Sequence, residues 1–116
     1  MAYNIHLKRV YEKVARQDGR RILVERLWPR GLKKEDANID DWIKEIAPSA
    51  ELRKWFSHDP TKWSQFKKKY WRELDKNQDA VDQISAFCKT GPVTFLFAAR
   101  DTENNNAVAL KEYLLL

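Results

Sequence analysis

Residues 91–101 read Gly91-Pro92-Val93-Thr94-Phe95-Leu96-Phe97-Ala98-Ala99-Arg100-Asp101. Between the Gly-Pro breaker and the charged pair lies a largely apolar run over 93–99, too short for a long helix and without the alternation of a strand that has one wet face. A strand covered on both faces has this composition. The run is therefore the candidate central strand of a sheet held between other layers.

Outward on either side the pattern turns helical. Upstream, Ala80, Val81, Ile84, Phe87 and Cys88 recur at helical spacing, with Asn77 as cap and Gly91-Pro92 as stop. Downstream, a polar loop over 100–106 leads into a closing helix over 107–115, capped by one of three consecutive asparagines. Asp59 suits an N-cap and Pro60 the first helical position, so a helix runs from there to about Asp75. At about 100° per residue, Trp63, Phe66, Tyr70 and Leu74 share one stripe, while Lys62, Gln65, Lys68, Lys69, Arg72 and Lys76 form a basic outer face. Ser49 caps a shorter helix carrying Leu52, Trp55 and Phe56. Before it, Pro48 ends a helix expected through Trp42, Ile43 and Ile46, with Asp40 or Asn38 as its cap.

Residues 5–11 and 21–28 read as strands, with a turn at Asp18-Gly19 between them. A parallel crossover usually needs a dozen or more residues and only about nine intervene, which favours an antiparallel or non-adjacent pair. Pro29 closes the second strand and Gly31 lets the chain turn away. The order predicts one α/β domain over 1–116, with a short mixed or parallel sheet packed by about five helices.

The totals agree with that reading. A chain of 116 residues, 43% hydrophobic with five tryptophans, has material for a core and for burying roughly two thirds of its unfolded surface. The net charge of +5 favours anionic partners. No apolar run approaches the roughly 18 to 20 residues of a membrane span, and the start lacks a basic region followed by an apolar stretch. The expectation is a cytoplasmic protein with no membrane partner. Cys88 is the one cysteine, and neither His6 nor His58 stands at a metal-ligand spacing from it, so no metal or cofactor is expected.

Ligands of open α/β sheets collect outside the carboxyl ends of the strands. One such exit offers Arg26, Trp28, Arg30 and Gly31, followed by Lys33 and Lys34; another offers Arg100, Asp101 and the asparagines. Guanidinium forks and a helix start both favour anions, so Arg26, Arg30, Arg100 and Asn105 are the candidate cradle for a small phosphorylated or carboxylated, nucleotide-like ligand. Asp101, after the buried strand, is the candidate for proton chemistry, with a turn role as its alternative. Alternation along the second strand puts Arg26 with Val24 and Trp28, and Glu25 on the opposite face. His58 reads as a helix-end residue and Cys88 as core.

Two other readings compete. The basic helix over 60–76, beside Trp55, Trp63 and Trp71, fits a nucleic-acid backbone, although Glu73, Asp75 and other acids dilute its field. A protein-interaction domain would instead show Trp28 and Trp55 as an exposed apolar patch.

The segments Lys8-Arg9-Val10-Tyr11, RILVERLWPRG over 21–31, APSAELRKWF over 47–56 and FAARDTENNNAVAL over 97–110 resemble the YeaO-like family, domain of unknown function 488. The resemblance runs almost end to end and implies a small α/β fold without an established activity. Arg9, Arg26, Trp28, Pro29, Arg30, Gly31, Arg53, Trp55, Phe56, Asn105 and Ala107 match the family pattern. The resemblance thereby draws Arg53 into the candidate ligand-binding set. Two positions depart from it: the family typically carries aspartate where this chain has Glu25, and histidine where it has Asn106. The second departure favours binding through hydrogen bonds over histidine chemistry.

Overall fold

The computed structural model describes residues 3–116; residues 1 and 2 of the expected domain lie outside it. Its centre is β4 (Val93–Phe97), every residue of which is buried. Strands β1 (Ile5–Arg9) and β2 (Arg20–Leu23) flank it, and β3 (Asp41–Trp42) completes the order β1-β4-β2-β3. All pairings are parallel, with Ile5 opposite Val93, Ile22 opposite Phe95 and Ile22 opposite Asp41. The first two strands are thus non-adjacent, as their short connection requires.

The α-helices are α1 (Lys34–Ala37), α2 (Ala50–Phe56), α3 (Trp63–Asp75), α4 (Gln78–Thr90) and α5 (Asn106–Leu114). Ser49 caps α2 by accepting from the Leu52 amide, and Asn105 caps α5 through Val108. Asp59 caps a 3-10 turn over Pro60–Lys62 that runs into α3. The expected stripe of α3 holds, with Phe66, Tyr70 and Leu74 buried and Trp63 packed at the margin.

Two expectations need correcting. Asp41 and Trp42 form a strand, and the segment after them is only a 3-10 turn over Lys44–Ile46. Apolar residues at 42, 43 and 46 fit either period, and pairing decides: Asp40 N–H donates to Arg21 O and Ile43 N–H to Leu23 O. The second strand also ends at Leu23, well before Trp28, because the Trp42 indole donates to Glu25 O at 2.6 Å and holds the chain off the sheet. Alternation therefore does not govern Glu25, Arg26 and Trp28.

Two unlike layers cover β4. Val93, Phe95 and Phe97 join Ile22, Val24, Phe66, Tyr70, Ile84 and Leu110 in the main core under α2 to α5. On the other face Leu96 packs with Val10, Leu23, Trp28 and Trp42. Beside that small cluster lies a buried polar network. Asp18 accepts from Arg21 at 2.6 Å and from Lys8 at 3.1 Å, and Thr94 donates to the Asp18 carbonyl. Arg21 also donates to the carbonyls of Asn38 and Ala37, binding α1 to the sheet. Gly19 is required here: its φ is +64°, and a Cβ would stand 2.2 Å from the Pro92 carbonyl oxygen.

Candidate functional site

After β2 the chain passes to the face that carries Trp28, Leu32 and Ile39, whereas after β4 it passes to the face that carries α5. Neighbouring parallel strands whose continuations part in this way leave a crevice beyond their carboxyl ends. A cleft of about 650 Å³ opens there. Glu25 and Leu27 to Arg30 form one wall, Ala98 and Ala99 the floor, Asn104 to Asn106 at the start of α5 the second wall, and Pro48, Arg53, Phe56 and His58 the third.

The two strand exits are stitched together at the floor. Ala98 N–H donates to Glu25 Oε2 at 3.2 Å, and Asn106 Nδ2 donates to Val24 O at 2.8 Å. Arg9 donates to the carbonyls of Ala99 and Ala98, at 3.0 and 3.2 Å. Burial pushes the Glu25 carboxyl above its ordinary range, against the opposing pull of the Ala98 N–H and of the Arg53 and His58 charges. Burial also pushes the Cys88 thiol up to about 11, as suits an unreactive core residue.

Arg53 differs from the other arginines that match the family pattern. Arg9 is spent on carbonyls, and so is Arg26, whose guanidinium donates to Ala47 O at 3.1 Å and Pro48 O at 3.4 Å. Arg30 is exposed at the cleft rim, its carbonyl accepting from the Tyr11 hydroxyl. Arg53 lines the cleft from α2, and its Nε is the one buried side-chain polar atom without a partner among the described residues. An unpaired buried guanidinium N–H costs on the order of 1–3 kcal/mol and is a standing demand for an acceptor.

Among the residues expected at the site, Trp28, Arg30, Arg53 and Asn105 line the cleft, and Arg26, Gly31, Arg100 and Asp101 do not. Trp28 sits edge-on to Trp42, 5.4 Å between centroids, and donates to Leu32 O. Gly31, at φ +76°, makes the turn after Arg30. Arg100 is exposed. Asp101 accepts from the Glu103 and Asn104 amides and from Asn104 Nδ2. Those bonds, Glu103 first, hold its carboxyl below the usual range and close the loop ahead of α5.

Sequence reasoning places the asparagine cluster at the site, and Asn106 lines the cleft with Asn104 and Asn105, but it leaves out Glu25 and His58. Alternation assigns Glu25 to the wrong side because the strand stops short. His58 reaches the cleft because Ser57 and His58 both adopt left-handed backbone, at φ 47° and 56°, which turns the end of α2 inward. Nothing in a Phe-Ser-His-Asp tetrapeptide announces that geometry.

Part of the basic surface at and along α3 lies against aromatic rings. Lys62 and Lys69 stand 5.2 and 5.0 Å from the Trp55 ring centre, and Lys67 lies between Trp63 and Trp71. Trp28 and Trp55 are each half-buried. Among the described residues no helix is long and apolar enough to cross a membrane.

Fold and cleft together define a small open-sheet α/β protein with a crevice at the ends of its inner strands. The chain belongs to the DUF488 family: the model of the inactive DUF488-N3 subclade matches residues 4–116. It is 42% identical to the uncharacterized protein YeaO of Escherichia coli over 111 residues, 96% of each chain. It is 34% identical to the uncharacterized protein Rv3073c of Mycobacterium tuberculosis over 110 residues, 95% of this chain and 92% of the relative. No solved structure gives a significant match.

Proposed function

We propose that this domain is a binding module, without catalysis of its own, for a small phosphorylated or carboxylated ligand that enters the cleft at the ends of β2 and β4. The observation that carries the reading is the Arg53 guanidinium, which lines the cleft and has a buried Nε without a partner. A phosphate or carboxylate group set against the Arg53 guanidinium supplies the counter-charge it lacks, and an acceptor for Nε once the side chain turns towards it, with Arg30 at the rim and the N-terminus of α5 adding to the attraction. A cleft of about 650 Å³ suits a nucleotide-sized molecule. Trp28, Pro48 and Phe56 provide apolar contact.

Binding is favoured over catalysis by three features. Asp101 is held ionised by its turn bonds and lies outside the cleft lining. Asn106 stands where the family resemblance leads one to expect histidine, and its amide is tied to Val24 O. The subclade is itself described as inactive.

The test is a thermal-shift screen of inorganic phosphate, nucleotides and organic acids. A ligand at a hundred times its dissociation constant stabilises by about 2.7 kcal/mol. Arg53→Met should abolish the response, and a combined Lys62, Lys69 and Arg72 to alanine variant should keep it. The reverse pattern, with steep salt dependence, would instead mark the basic helix as a nucleic-acid surface.

A further inference from the structure

The cleft does not offer positive charge alone. Opposite Arg53 it presents the Glu25 carboxylate, of which Oε2 accepts the Ala98 N–H while Oε1 has no hydrogen bond and is not among the sealed polar atoms. The side-chain oxygens of Asn104 and Asn106 are likewise uncommitted: each of these amides donates through Nδ2, to Asp101 and to Val24, and accepts nothing. Asn105 is fully spent between Asp101 O and the Val108 amide.

Glu25 and Arg53 lie within electrostatic reach across the same cavity, yet make no ion pair. A bare anion answers only half of this arrangement. It meets the charge of Arg53, but it brings negative charge towards Glu25 and does nothing for the uncommitted oxygens of Glu25, Asn104 and Asn106, three residues that line the cleft. Like-charge crowding in a partly desolvated cleft opposes such binding.

Resting on the reading of the cleft as an anion site, we infer that its ligand is dipolar: it carries an anionic group taken by Arg53, an N–H donor group taken by Glu25 and the Asn106 amide oxygen, and a flat or apolar body that packs against Trp28, Pro48 and Phe56. Amino acids with large apolar side chains and nucleotides whose base carries N–H donors share this chemistry. A carboxylate accepts two parallel N–H bonds from an amidine edge as readily as it pairs with an ammonium group.

Matched probes separate the anion from the donor. Tryptophan carries a carboxylate and an ammonium group, indole-3-propionate only the carboxylate, and tryptamine only the ammonium group. Guanosine monophosphate carries a phosphate and an N–H edge, and purine riboside monophosphate lacks the base donors. Titration calorimetry on the full chain is expected to show the dipolar member of one set binding at least about tenfold more tightly than its single-ended partners. The set in which this occurs identifies the source. In the isosteric Glu25→Gln variant that preference collapses, while Glu25→Asp retains it.

If indole-3-propionate and purine riboside monophosphate bind as tightly as their dipolar counterparts, the dipolar inference is wrong and the anion site stands. If no probe binds, inorganic phosphate included, both are wrong.

Discussion

Arg53 and Glu25 face the same cleft from different elements, one on α2 and one just past β2, and their charges act on each other without meeting in an ion pair. Folding alone would favour closing that gap or replacing both groups by apolar ones. A ligand that takes one charge at each end supplies a reason to leave it open.

The first consequence concerns stability. Arg53→Met keeps the aliphatic stem and removes an N–H that has no partner, so urea denaturation should find a change within about 1 kcal/mol of the parent, in either direction. Arg26→Met removes donors to Ala47 O and Pro48 O and should cost more, about 1.5–3 kcal/mol. Equal losses would mean that Arg53 is a structural residue like Arg26.

Two carboxylates give pH limbs of opposite sign. The Asp18 carboxyl is desolvated by burial, but the Ala15 N–H, Lys8 and Arg21 outweigh this and hold it below its ordinary 3.8. A depressed folded value means stability that is present above about pH 4 and lost as pH falls through the folded value. Asp18→Asn should flatten that acid limb in melting temperatures taken between pH 2 and 6. It should also cost about 3 kcal/mol at neutral pH, because Arg21 is left buried with its charge uncompensated.

Glu25 behaves in the other direction. Its folded value lies above the ordinary 4.5, so its contribution is fully present below that pH and declines as pH rises through the folded value. Glu25→Gln keeps an oxygen for the Ala98 N–H and should raise the melting temperature at pH 7 while leaving it unchanged near pH 4. A lower melting temperature at pH 7 would show that the ionised carboxylate stabilises the fold.

Gly19→Ala should be among the more damaging small substitutions. It combines left-handed backbone with a Cβ directed into the Pro92 carbonyl, so the turn into β2 and the start of β4 must separate. A loss of about 2–3 kcal/mol by chemical denaturation is expected. Gly31→Ala meets open space and should cost less, about 1 kcal/mol, from its backbone conformation alone.

These residues also mark what is legible in the sequence. The central strand can be read from composition, because a strand buried on both faces needs no alternation, and α3, α4 and α5 from period and caps. Strand β3 cannot: it is two residues long, and Asp41-Trp42 becomes a strand only through its partners Ile22 and Leu23. The end of β2 is hidden for a related reason. Residues beyond Leu23 continue a strand-like pattern, and what stops them is an indole hydrogen bond from Trp42, nineteen residues after Leu23 in the chain (42 − 23).

The site is legible as a region and not as a set of atoms. The WPRG segment and the asparagine cluster do meet at one cleft. Arg9, Arg26 and Arg53 look alike as letters, however, and only the placement of the carbonyls of Ala98, Ala99, Ala47 and Pro48 decides which guanidinium is spoken for.

The most direct measurement is a 15N–1H spectrum of the arginine side chains during titration with inorganic phosphate and the organic probes, with the Arg53 Nε–H signal assigned through Arg53→Lys. An anion-binding cleft predicts a saturable shift of that signal together with the backbone amides of Ala98, Asn106 and Ala107. Saturable shifts confined to the Lys62 to Lys76 face, with Arg53 unmoved, would contradict it.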